Sequence, residues 1–294
     1  VRKSILILMT FASLGLASIA AQAAIPTYTN LYVFGDSYCD VGNLFAATGG
    51  AEPAAPYYNG RFSNGPIWVD HVAGFLGLPF KASLLGGTDY AFGGAWVTEP
   101  QSVTGVPSIP QQVELFLSQH GGKADPNALY IIEGGGNDIL NTTTGTPNAL
   151  GFQIALGISD SELKLREAGA RHFLIPNLFN VGLLPAAAGN VSFATAASTA
   201  TNRWVNTLLS FEDAIEGIHV MRIDVFSLLN SVETDPTHFG FTDMTDPCLT
   251  TTVCSDPDHT FFWDVHHPTE FGHAFFAVTL ENALAAQGAS PNAR

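Results

Sequence analysis

The chain has 294 residues, a formal net charge of −15 at pH 7, 46% hydrophobic residues and 13% charged ones. This composition excludes global disorder and suffices for one large core. The acidic balance excludes phosphate backbones as natural partners and gives no general pull towards an anionic membrane.

The opening stretch "VRKSILILMTFASLGLASIAAQAA" starts with Arg2 and Lys3, runs apolar from Ile5 to about Leu16, and ends on Ala21-Gln22-Ala23. Positive start, apolar middle and small-residue end predict a secretory signal peptide over residues 1–24, cleaved after Ala23 or Ala24. The apolar run is too short for a membrane anchor, and no later run reaches spanning length. The expected protein is secreted or periplasmic, and loss of Arg2 and Lys3 makes it two units more acidic. Residues 25–294 show no internal repeat or low-complexity tract and read as a single domain.

Short apolar runs at Leu31–Phe34, Thr88–Phe92, Leu129–Glu133, His172–Pro176 and Val220–Val225 read as buried strands. Helical patterns lie between them. "PIWVDHVAGFLG" has Pro66 at a first-turn position and puts Trp68, Val72, Phe75 and Leu76 on one side. "IPQQVELFLSQH" does the same with Val113, Phe116 and Leu117. Residues 149–169 and 194–217 also read helical, and Thr269 opens a last amphipathic helix. The alternation predicts a three-layer α/β/α sandwich of the flavodoxin-like kind, with a mainly parallel sheet of about five strands. Sites in such folds lie beyond the carboxyl ends of the strands.

The residues at those ends carry chemistry. Gly35-Asp36-Ser37 follows the first strand, Gly93 and Gly94 the second, and "EGGGND" with Asn137 and Asp138 the third. "WDVHHP" brings Asp264, His266 and His267 before the last helix. Together they supply a nucleophile, backbone donors, an amide, an imidazole and a carboxylate, which is the inventory of acyl transfer. Each has a plainer reading alone: a Gly-Asp-Ser turn, a glycine contact, a helix cap, or a metal or capped entry at "DVHHP". Asp36 and Asp138 read as structural carboxylates that accept backbone N–H groups.

The four blocks resemble those of the GDSL, or SGNH, family of serine esterases and lipases. "FGDSYCDVGN" is similar to its first block, "DYAFGGA" to the second, "GGGND" to the third and "DVHHP" to the last, and "LIPNLFNVGLLP" resembles the segment before its long middle helix. The likeness is greatest to the bacterial secreted branch of lipases, lecithinase/haemolysin-like phospholipases and acyltransferases. It implies Ser37 as nucleophile, His267 as base and Asp264 as the carboxylate that orients it, with His266 the rival for the base. It implies an oxyanion hole from the Ser37 N–H, a glycine N–H and the Asn137 amide. Gly94, five residues after Asp89, is the chosen glycine and Gly93 the fallback. Tyr38 where Leu is usual, Cys39 where Ser is common, and Asp89 where Asn often stands are departures that bear on substrate fit. No cofactor is called for. The implied substrate is a small-molecule or lipid ester, with transient contact to a lipid surface. The chain's end soon after Gln287 leaves no room for the translocating barrel of some relatives.

Rival readings are a phospholipase or acyltransferase with the same machinery, a silent binding module, and a metal-dependent hydrolase using Asp264, His266, His267 and His259. The "CLTTTVC" spacing predicts a disulfide between Cys248 and Cys254 in an oxidising compartment, with zinc the weaker alternative. Cys39 reads as a small buried side chain behind the Ser37 turn. The aromatics Tyr57, Tyr58, Phe62 and Trp68, and Phe261 to Trp263, read chiefly as core packing or as cleft lining.

Overall fold

The computed structural model describes residues 27–98, 105–211 and 215–288, so the expected signal peptide lies outside the described residues. Strands β1 (Leu31–Phe34), β2 (Leu129–Ile132), β3 (His172–Pro176) and β4 (His219–Ile223) form one parallel sheet in the order β1-β2-β3-β4. Leu31 stands opposite Leu129, Leu129 opposite His172, and His172 opposite His219. Every residue of β1 and β2 is buried. Their unbroken apolar sequences are what a parallel strand covered on both faces requires.

Among the described residues the sheet has four strands, against the expected five or so. Thr88–Phe92 runs along β1 and bonds to it, through Tyr90 N–H to Val33 C=O at 2.8 Å and Phe92 N–H to Gly35 C=O at 3.1 Å. It forms only isolated bridges, from Asp89 to Val33 and to Ala82. Asp89 explains this. Its carboxylate accepts the Val41 and Ala91 N–H groups at 2.8 and 3.0 Å, and its own N–H donates to Lys81 C=O at 3.1 Å. These bonds wrap the segment around its neighbours and prevent a regular ladder.

Eight α-helices are described: α1 (Asn43–Ala47), α2 (Trp68–Leu76), α3 (Ile109–Gln119), α4 (Gly136–Asn141), α5 (Pro147–Ala168), α6 (Val191–Leu209), α7 (Val225–Thr234) and α8 (Glu270–Gly288). α3, α5 and α6 pack in series, and α2 packs on α8, so helices flank the sheet. Ser108 and Gln111 form a reciprocal cap at the start of α3. Pro66 lies outside α2, contrary to the sequence reading. The helix is opened by Asp70, whose carboxylate accepts the Ile67 N–H at 3.0 Å. Thr269 caps α8, accepting the Gly272 N–H on its hydroxyl at 3.3 Å. The carboxyl ends of the parallel strands share one sheet edge, and the candidate residues gather there.

Candidate active site

The turn after β1 is fastened from three sides. The Asp36 carbonyl accepts the N–H groups of Cys39 and Asp40, both at 3.0 Å, and Asp36 Oδ1 accepts the Tyr38 N–H at 3.0 Å. Gln112, buried on α3, clamps Gly35 by donating to its carbonyl and accepting its N–H, each at 2.9 Å. Cys39 is a buried free thiol behind the turn, 3.5 Å from Glu133 Oε2. A Cβ on Gly35 would meet that sulfur at 3.0 Å and the Glu133 carbonyl at 3.1 Å, a close approach that favours glycine.

Ser37 Oγ lies 2.7 Å from His267 Nε2. His267 Nδ1 lies 2.8 Å from Asp264 Oδ2 and 3.0 Å from Oδ1. With the proton on Nδ1, Nε2 is free to accept from the serine hydroxyl. All three residues are buried. Burial pushes the Asp264 carboxyl up, but the His267 imidazole, the Tyr57 hydroxyl and the His266 N–H outweigh it and hold the group well below the usual carboxylate range. Asp264 is therefore a fixed anion against the imidazole.

His266 is not the histidine bonded to Ser37. It is exposed, and its carbonyl accepts the Tyr38 hydroxyl at 2.7 Å. Asp264, His266 and His267 bring one potential ligand atom each within 4.8 Å. The His267 nitrogens and the Asp264 carboxylate already face each other and Ser37. His259 is not in that group; it is exposed and pairs with Asp256 at 2.8 Å.

The two glycines of the second block separate cleanly. Gly93 N–H donates to Asp40 Oδ2 at 2.8 Å. Gly94, at φ 81°, and Ser37 make no N–H hydrogen bond among the described residues. A Cβ on Gly93 would meet the Phe62 ring at 2.4 Å, so that glycine serves packing. Asn137, in the first turn of α4, donates through Nδ2 to Ala95 C=O at 3.0 Å and to Asp36 Oδ2 at 3.2 Å. Asp138 ties this helix to the second block, accepting Val97 N–H, Thr98 N–H and Thr98 Oγ1 at 2.9, 2.9 and 2.7 Å.

Ser37, Gly93, Gly94, Asn137, His266 and His267 line one cleft of about 310 Å³. Leu44, Phe62, Leu140, Phe179 and Leu184 give it apolar walls, and Glu52 and Asp36 are the ionisable carboxyls that line it among the described residues. No Lys or Arg is among its lining residues. A smaller apolar cavity of about 30 Å³ adjoins it, lined by Trp68, Glu133, Val225, Phe276 and Leu280, with Tyr38 and Phe179 lining both. Burial and the neighbouring Asp36 push the Glu133 carboxyl well above its ordinary range.

The model of the GDSL-like Lipase/Acylhydrolase family matches residues 31–279. The chain belongs to this family. It is 25% identical to the thermolabile hemolysin of Vibrio parahaemolyticus over 84% of this chain and 61% of that protein, so it spans less than two thirds of that relative. It is 28% identical to a phosphatidylcholine-sterol acyltransferase of Aeromonas hydrophila, over 80% of this chain and 70% of that one. The solved structure of an aryl esterase from M. smegmatis superposes with a TM-score of 0.51 at 16% identity, covering 87% of this chain and 98% of that chain. That likeness concerns the fold of this GDSL-family chain. No described helix is long and apolar enough to cross a membrane.

Sequence reasoning missed three contributors. Gln112 lies far from any motif. Asp40 carries no signal beyond its place in the first block, yet its carboxylate accepts the Gly93 N–H. Tyr57 reads as loop packing, yet its hydroxyl reaches Asp264 Oδ2 at 2.7 Å. Its polar tip among aromatics is the only signal the sequence offers.

Proposed function

We propose that this GDSL-family member is an exported serine hydrolase that cleaves carboxylic esters, small or lipid, through an acyl-enzyme. The observation that carries the reading is the continuous chain from Ser37 Oγ through His267 to Asp264, at 2.7 and 2.8 Å. His267 Nε2 takes the serine proton as Oγ attacks the ester carbonyl carbon. Asp264 holds the imidazole by Nδ1 and stabilises the imidazolium. The oxyanion is received by the N–H groups of Ser37 and Gly94 and by Asn137 Nδ2, which turns from its long bond to Asp36. His267 then protonates the departing alkoxide, and water, activated by the same base, hydrolyses the acyl-serine. The N-terminal signal sequence supports export, and residues 25–294 act as one catalytic domain.

A second reading keeps the first half-reaction and replaces water by an alcohol acceptor. It is supported by the similarity to the Aeromonas acyltransferase. The test is turnover of p-nitrophenyl esters of graded chain length by the protein and by Ser37→Ala, beside labelling with a fluorophosphonate. Turnover and labelling that both vanish in the variant support the reading. Turnover that survives in Ser37→Ala overturns it. Adding an alcohol and analysing the products separates transfer from hydrolysis.

A further inference from the structure

The loop of residues 52–64 does more than wall the cleft. It is riveted to the segment that bears His267. Ser63 Oγ donates to Pro268 C=O at 2.9 Å, and Asn64 Oδ1 accepts the Glu270 N–H at 2.7 Å. Between these anchors and Glu52 stands Tyr57, whose hydroxyl donates to Asp264 Oδ2 at 2.7 Å. Its ring meets Phe62 and Trp263 edge-on, with centroids 6.1 and 6.2 Å apart, and the Phe62 ring lies 5.0 Å from His267.

The hydrogen bonds around Asp264 divide unevenly. Oδ1 accepts the His266 and His267 N–H groups at 2.7 and 2.8 Å. Oδ2, the oxygen nearer to His267 Nδ1, has Tyr57 as its only other donor among the described residues. A carboxylate held on one oxygen alone can turn about its bond to Cβ. A donor on the second oxygen fixes the plane in which the imidazole must lie.

We infer that Tyr57 is a positioning residue for this reaction, holding Asp264 so that His267 Nε2 stays aimed at Ser37 and tuning the charge that Asp264 presents. This rests on the reading of Ser37, His267 and Asp264 as a triad. The same loop carries Glu52 and Phe62 into the cleft, so the wall that touches substrate and the strut behind the base are one piece of chain.

The direction of the pH effect follows. A hydroxyl bonded to Oδ2 disperses the carboxylate's charge. Its removal concentrates that charge on the imidazole, favours the imidazolium and raises the proton affinity of His267. The acid limb of kcat/KM, which reports loss of the neutral base, then moves to higher pH. The other titratable groups facing this pair are Asp36, Tyr38, His266 and His273. None is altered by replacing Tyr57, so the comparison isolates one hydroxyl.

The experiment is Tyr57→Phe, which keeps the ring contacts, against the unaltered protein. Expected are a fall in kcat of about three- to tenfold, a KM within about twofold, and an acid limb shifted up by ~0.5 pH unit. Equal kcat and superimposable pH profiles overturn the inference. The His267 imidazole is titrated in parallel by NMR in both proteins, a readout that needs no turnover. If Ser37→Ala stays active, the triad reading fails, while the NMR titration still judges Tyr57. A higher His267 titration point in Tyr57→Phe supports it, and identical curves overturn it.

Discussion

Asp40 Oδ2 accepts the Gly93 N–H at 2.8 Å, and this one bond decides which glycine faces the cleft with a free donor. The same carboxylate accepts Gly42, Asn43 and Leu44 N–H groups at 2.8, 2.5 and 3.1 Å. Burial raises its proton affinity and these four bonds oppose the rise. An amide in its place cannot accept on its nitrogen. Asp40→Asn is expected to lose about 2–4 kcal/mol of stability, read from denaturant midpoints. A loss below about 0.5 kcal/mol would mean that the cage is held from elsewhere.

Asn137→Ala removes the only side-chain donor assigned to the oxyanion. Turnover is expected to fall about 10²-fold, with fluorophosphonate still labelling Ser37, if more slowly. Steady-state kinetics with a short-chain ester checks this. An unchanged kcat would remove Asn137 from the hole and leave the backbone donors alone.

Tyr38 stacks on Phe179 with centroids 4.7 Å apart, and the pair stands between the cleft and the smaller cavity. The ring is anchored by its hydroxyl on the His266 carbonyl. Tyr38→Leu, the side chain usual in the family, is expected to join the two spaces and move the optimum of a p-nitrophenyl ester series to longer acyl chains. Tyr38→Phe keeps the partition and the original optimum. The same profile in all three proteins would show that the partition does not govern chain length.

Asp36 gives a pH dependence of stability. Burial raises its carboxyl from 3.8 to about 6, against the Tyr38 N–H, His267 and Asn137, which lower it. A folded-state value above the unfolded one means that the folded protein holds the proton more tightly. The stabilisation is full below pH 3.8 and is lost as pH rises to about 6. Asp36→Asn has no such proton to lose. The stability of the unaltered protein relative to this variant should fall across that window and level off above it. Thermal melts at stepped pH measure it, and a flat difference would place the carboxylate in a wetter setting.

The Cys248–Cys254 disulfide closes a loop that hangs on the approach to Asp264. Cys248 N–H donates to Phe262 C=O at 2.9 Å and Leu249 N–H to Trp263 C=O at 2.6 Å. Replacing both cysteines by serine is expected to cost about 2 kcal/mol. Melting curves with and without a reductant check it, and reduction should leave the double variant unmoved.

Much of this was legible in the sequence where one physical demand dominates a stretch. Leu31–Phe34 and His172–Pro176 are bounded as their apolar runs suggest, because burial on both faces leaves no other pattern. Thr88–Phe92 also reads as a strand and forms only isolated bridges, since Asp89's side-chain bonds belong to residues brought near only by folding. The short helices α1 and α4 leave too few turns for periodicity to register. Ser37 and Asn137 stand out by their place after strands, and Asp264 and His267 by theirs before the last helix. Gln112, Asp40 and Tyr57 do not, because what they do depends on a partner distant in the chain.

Ser37 and His267 touch across a sequence separation of 230 residues. A chain whose synthesis halts before His267 therefore has a serine with no partner imidazole to take its proton. The proposed nucleophile is made first and armed last. For the proposed serine hydrolase, the order of synthesis is itself a safety catch.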